Sequence, residues 1–246
     1  MRDLSIFKKF NFERPPVGVK FLLNKPKGIK KLDKGLAFCE MLGEAQKASP
    51  FYAVRENFTC MGPVVLGMEE PDPIFESGQV GPKDGIYKEA RANRRIYHYI
   101  PKLAKGTVRY VAFSPLDKLS FEPDVLIITA TPAQAEILLR AHSYTTGKML
   151  TTKSTPVLIC AWLFIYPYLS GQLNYSVTGL GFGMKARGIL PEGLMLIAVP
   201  YDSLPMLVEN LQDMEWVPPL HRLSEEEKRK QFQRTVDELK REYQNN

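Results

Sequence analysis

The run DVLIITA (residues 124–130) leads straight into TPAQAEILLRAHSYTTG, and this junction constrains the fold more than any other stretch. The run is apolar almost throughout, without the alternation of a strand wetted on one face, so it predicts a central strand. Thr131 then has the side chain of an N-cap. Pro132 suits the first helical position, where its missing N–H has no partner to lose, and Gln134 completes a capping box. Ile137, Leu138, Ala141 and Tyr144 form the inner stripe of a helix reaching about Gly147.

No other stretch reads as so clean a strand-then-helix unit. Strands are predicted over 17–23, 51–57, 107–113, 174–179 and 194–200. Helices are predicted from an Asp33 cap to Lys47, from Asn57 or Thr59 onward, over 88–99, from Thr155–Pro156 to Pro167, and from Asp202 or Ser203 to about Leu211. Residues 69–79, with two prolines and a glycine, read as loop. Interspersed elements of this kind predict an α+β fold, a mixed sheet packed with helices, ahead of a doubly wound parallel sheet. Residues 1–212 are expected to form one domain and 213–246 a linker and a final helix. That helix opens on a Ser224/Glu227 capping box and carries the narrow stripe Phe232, Val236, Leu239 and Tyr243. The stripe should dock on its own domain or on a second subunit, which would make a homodimer.

At 246 residues the chain can bury a sizeable core, and its formal charge of +6 suits a weakly anionic ligand as well as plain solubility. The N-terminal MRDLSIFKKFNFERPP has charges throughout and no apolar leader core. The longest apolar run, Pro156–Leu169, falls short of the ~20 residues of a membrane helix and reads as a buried core helix. No membrane association is expected. The lysines between Lys25 and Lys34 lack interleaved aromatics and a recognition motif, so they read as a solvated loop and no nucleic-acid partner is expected.

Chemistry points to the three cysteines, Cys39, Cys60 and Cys160, each in a separate segment. An odd, dispersed set does not make a disulfide framework and suits a reducing, cytoplasmic setting. Thiolates are soft ligands for iron and zinc, so a shared site would hold an iron–sulfur cluster or another thiolate-bound metal. Cys60 at a helix entrance would gain from free backbone amides that stabilise a thiolate. Three thiolates would leave one position for substrate, water or a residue such as His98 or His142. Dispersed spacing is also what small hydrophobic cysteines filling a core look like. A Cys60–histidine nucleophile is a third reading.

GLGFGMKARG adds a second candidate. Gly181 and Gly183 could turn backbone amides toward an anion, with Lys185 and Arg187 supplying charge, so a small anionic ligand is one expectation and a tight connection between strands the other. The context of a dinucleotide fold is missing, because Gly188 and Pro191 cut off any helix. Glu40 and Glu44, one turn apart, could form an acid–base pair or lie on a routine surface.

Taken in order, PPVGVKFL, FCEMLGEAQ, ENFTCMGPVVLGM, PDVLIITATPAQAEILLRA, a Cys-bearing helix and a Gly-rich turn before LPEGLMLIAVP make the chain similar to domain-of-unknown-function family 169, over roughly residues 15 to 212. The resemblance implies a cytoplasmic protein common in anaerobic prokaryotes, with cysteines in the segments of Cys39, Cys60 and Cys160. Many members have a further cysteine near the Gly-rich turn. GLGFGMKARG has none, which argues against a four-thiolate site here. Three functions follow as expectations: a metal or iron–sulfur protein in a redox or accessory role, a metal-free module binding an anionic ligand, and a thiol-dependent hydrolase or transferase.

Overall fold

Strand β5 (Val125–Ala130) is buried at every position, and its pleat divides the molecule. Val125 and Ile127 point into one core, and Leu126, Ile128 and Ala130 into another. Side chains alternate across a strand, so a strand apolar on both faces needs a layer on each. The computed structural model describes residues 3–47 and 49–244.

The remaining strands are β1 (Val17–Leu22), β2 (Lys30–Lys31), β3 (Phe51–Ala53), β4 (Tyr110–Pro115), β6 (Asn174–Val177) and β7 (Met195–Pro200). Among the described residues they form one seven-stranded sheet in the order β2-β3-β4-β1-β5-β7-β6. The β2–β3 pair is parallel and the other five pairs are antiparallel, so the sheet is mixed and the fold α+β, as the patterning predicts.

The helices follow in chain order. They are α1 (Phe38–Ala45), α2 (Gly62–Val65), α3 (Pro73–Glu76), α4 (Val80–Lys83), α5 (Ala90–Tyr99), α6 (Pro132–Ser143), a π-turn (Ala161–Ile165) running into α7 (Tyr166–Ser170), α8 (Phe182–Ala186), α9 (Leu204–Asp213) and α10 (Glu225–Gln244). One face of the sheet carries α1, α2 and the π-turn around Phe38, Phe113 and Phe164. The opposite face carries α6 and α9 together with the N-terminal Ile6, Phe7 and Phe10. α6 starts as predicted: Thr131 Oγ1 accepts from the Gln134 amide at 3.3 Å, and Gln134 Oε1 accepts from the Thr131 amide at 2.9 Å.

Four boundaries differ from the sequence reading. The strand predicted over 51–57 stops at Ala53, because buried Asn57 accepts from the Val54 amide at 3.0 Å and folds 55–57 into a 3-10 turn. The helix predicted from Asp33 starts only at Phe38, because Leu36 is held extended in a parallel bridge to Phe58. Residues 69–79 contain a capped turn, α3, in which Asp72 Oδ1 accepts from the Ile74 amide at 2.9 Å. The helix predicted from Thr155–Pro156 starts at Ile159, because Thr155 Oγ1 donates to the Val157 carbonyl at 2.6 Å and accepts from Trp162 Nε1 at 2.8 Å.

The body extends past residue 212. Met214 is buried, and Trp216 lies 4.3 Å from Phe10 between ring centroids. α10 has no buried residue, and its stripe is open, with Phe232 69%, Leu239 57% and Tyr243 90% exposed. Among the described residues no helix is long and apolar enough to cross a membrane.

Candidate functional site

The bridge between Leu36 and Phe58 assembles the site. The Leu36 amide donates to the Asn57 carbonyl at 2.8 Å, and the Thr59 amide donates to the Leu36 carbonyl at 3.0 Å. Asn57 Nδ2 locks the crossing by donating to the carbonyls of Leu32 at 2.9 Å and Lys34 at 3.1 Å. Two segments 22 residues apart therefore run side by side, and each turns into a helix at the same level. Gly62 permits the approach, since a Cβ there would fall 2.8 Å from the Phe58 ring and 3.0 Å from Phe38 Cβ.

Cys60 lies at that crossing. Its Sγ accepts from the Phe38 amide at 3.2 Å, at the start of α1, and from the Gly62 amide at 3.3 Å, at the start of α2. Both amides belong to first turns and have no intrahelical acceptor, so the sulfur takes the place of a cap. The helix-entrance position expected for Cys60 is present, although α2 is a single turn. α1 has its second cap from Glu40, whose Oε2 accepts from the Ala37 amide at 2.6 Å.

Cys39 follows Phe38 in the first turn of α1 and is buried. Cys160 is buried at the entrance of the π-turn. Leu158, two residues earlier, has a left-handed φ of 55° that turns the extended 151–158 segment into the helix. A branched residue adopts that conformation only where packing imposes it. The π-turn itself follows from Pro167, which has no N–H to return to the preceding turn; the Tyr166 amide bonds the Ala161 carbonyl instead, one residue further back than in an α-helix.

Burial raises two of the three thiols. Burial pushes the Cys39 thiol up to about 12, with Cys60 raising it further and the Arg187 guanidinium partly offsetting the effect. Burial also pushes Cys160 well above the ordinary thiol range, with Cys60 and then Cys39 adding to the rise. Cys39 and Cys160 lie in the same core, and Cys60 packs against it. Cys60 is the half-buried member and opens onto a cleft of about 400 Å³ lined by Phe58, Met61, Phe75, Arg55 and Glu69. Among the described residues, no three His, Cys, Asp or Glu side chains are arranged to hold a single metal ion.

The Gly-rich segment reaches the same region by a route its glycines do not advertise. Gly179, Gly181 and Gly183 all avoid positive φ, so they do not form an anion-binding nest. Gly181 is glycine because a Cβ would fall 2.6 Å from Ile159 Cγ2, next to Cys160. Gly183 lies inside α8, a helix where sequence favoured a tight connection, and its carbonyl accepts from Arg187 Nη1 at 2.9 Å. Arg187 thereby stands 3.9 Å from Glu40 and beside Cys39. Lys185 turns outward to Glu192 at 2.9 Å. Glu44 pairs with Lys34 at 3.0 Å, so Glu40 and Glu44 do not act as a pair.

The histidines do not join the thiols. His142 is buried on α6, across the sheet, with Nδ1 unpartnered. His98 is exposed against Tyr99, and His221 lies in an exposed turn. The Cys60–histidine pair and the histidine fourth ligand considered from sequence find no support in this arrangement. What sequence reading missed are the Phe38 amide that reaches Cys60 from the other helix and the Asn57 clamp. Asn57 was visible only as a possible helix cap, which is its commonest local use.

The profile of family DUF169, described as uncharacterised ArCR, matches residues 5–210. The chain is 27% identical over 213 residues to Uncharacterized protein MJ0308 of Methanocaldococcus jannaschii, covering 83% of this chain and 90% of that protein. No solved structure matches.

Proposed function

The chain belongs to the DUF169 family, and from that premise we propose that it binds an iron–sulfur cluster or another thiolate-bound metal through Cys39, Cys60 and Cys160, in a redox or accessory role. The observation that carries this reading is the Cys60 sulfur, which accepts two backbone N–H groups and packs against the core that holds two further thiols from distant segments. Amides directed at a sulfur stabilise its thiolate and the negative charge of a thiolate-ligated centre. Arg187 beside Cys39 adds a compensating cation.

A cluster fits this donor set better than a single ion. Thiolates around a cluster bind different irons and stand further apart than those around one ion, and among the described residues no trio is arranged to hold a single ion. When bound, such a centre supplies one-electron chemistry or an open iron position. Cys39 and Cys160 would hold it from the core, and Cys60 would hold it on the side facing the cleft. All three thiols must lose protons to bind, so binding strengthens as pH rises.

The test is anaerobic reconstitution with ferrous iron and sulfide, followed by iron and sulfide analysis and electronic spectra. Wild type should retain iron and sulfide together. Cys60→Ser and Cys39→Ala should each lose most of it while keeping a folded circular-dichroism spectrum. Wild type that emerges colourless and iron-free, or variants that hold as much iron as wild type, would refute the proposal. In the first case, a rise in melting temperature with a small anion would favour the metal-free binding module instead.

A further inference from the structure

A second cleft, of about 590 Å³, lies at the β2–β3–β4 edge of the sheet. Five cationic side chains line it, Lys25, Lys31, Arg55, Lys105 and Arg109, against one carboxylate, Glu56. Two of the cations are already paired: Arg55 with Glu69, and Lys105 with Glu70 at 2.7 Å. Among the described residues no ion pair engages Lys25, Lys31 or Arg109. Like charges left facing one space repel, and an anion there would relieve them.

The walls of this cleft are held in place before any ligand arrives. The Leu103 amide donates to the Val65 carbonyl and the Gly106 amide to the Gly67 carbonyl, both at 2.9 Å. Gly67 has a φ of +67°, and a Cβ there would fall 2.5 Å from the Ala104 carbonyl oxygen, so only glycine lets the two loops meet. The floor is aromatic: Tyr52 and Tyr110 meet edge-to-face with centroids 5.7 Å apart, and Lys25 Nζ stands 6.0 Å above the Tyr52 ring.

We infer that this groove binds a small phosphorylated molecule of nucleotide size through Lys25, Lys31 and Arg109. The volume lies in the range of ligand sites for molecules well above a bare inorganic anion. Three unpaired cations match the charge of a di- or polyphosphate group, and Arg109 can engage phosphate oxygens in a fork. A tyrosine floor beside them suits a ring or sugar rather than a second charge. A nucleic-acid strand fits less well. Beyond Arg55, which the two clefts share, the surface turns to Glu69, Glu70 and Asp72, and a continuous polyanion would run onto those carboxylates.

The groove is independent of the thiol reading, and its test uses different residues. Binding of ADP, inorganic pyrophosphate, adenosine and a single-stranded oligonucleotide to the full chain would be measured by calorimetry at low salt. ADP and pyrophosphate should bind, adenosine should not, and added salt should weaken both. Lys31→Ala and Arg109→Ala, both exposed and outside the core, should each weaken ADP at least about ten-fold while leaving the melting temperature unchanged. The inference is overturned if neither phosphate compound binds at low millimolar concentration, if binding survives both substitutions, or if only the oligonucleotide binds.

Discussion

Cys39 should make this protein lose stability in mild alkali. Its thiol ionises near 9.0 when free and is pushed up to about 12 in the fold, chiefly by burial. The unfolded chain therefore releases this proton at a pH where the folded chain still holds it. A folded value raised above the unfolded one means that the contribution is complete below pH 9 and declines as pH climbs toward 12. Each pH unit inside that window costs about 1.4 kcal/mol, so by pH 10, one unit past the free value, the loss is roughly 1.4 kcal/mol. Urea unfolding of the metal-free, reduced protein at pH 8, 9 and 10 would measure it, with Cys39→Ala as the reference. Tyr87, Tyr97 and Tyr168 are raised in the same direction and remain in both proteins, so the difference in slope reports Cys39 together with the part of the Cys160 rise that Cys39 causes. Wild type should lose about 1.4 kcal/mol more than the variant between pH 8 and pH 10. Parallel pH profiles would show that the thiol is hydrated in solution, and the account of Cys39 as a buried thiol would fall with it.

Gly62→Ala should destabilise by about 1–3 kcal/mol, because its Cβ would press on Phe58 and on Phe38 Cβ at 2.8 and 3.0 Å; urea unfolding measures the loss, and a neutral effect would mean that the crossing under Cys60 is looser than its contacts imply. Thr131→Ala should cost about 1 kcal/mol in the same assay through loss of the α6 cap, while Thr131→Ser should be near neutral.

Much of this architecture is local and could be read without coordinates. The β5 run, the Thr131–Pro132–Gln134 start of α6 and the Ser224/Glu227 start of α10 each depend on residues within a few positions of one another, so their patterns carry the information. The cysteines could be marked as chemically interesting for the same reason: thiols are scarce and soft wherever they stand. At Asn57, Leu36 and Thr155, where the reading failed, a distant contact intervened. Asn57 clamps Leu32 and Lys34, Leu36 is held by Phe58, and Thr155 is occupied by Trp162. A side chain that caps a helix in one setting serves a tertiary contact in another, and the local pattern is the same in both.

By itself, then, the sequence determined the layered α+β class, the central strand and the list of reactive residues, because periodicity and side-chain chemistry are properties of short stretches. The tertiary structure alone decided that cysteines from three segments pack into one core, that amides from two helices meet at Cys60, that Arg187 stands near Glu40 while Lys185 turns to Glu192, and that three cations near the sheet edge line one cleft. Those facts depend on which segments cross and in what register, and chain crossing is set by the packing of the whole core.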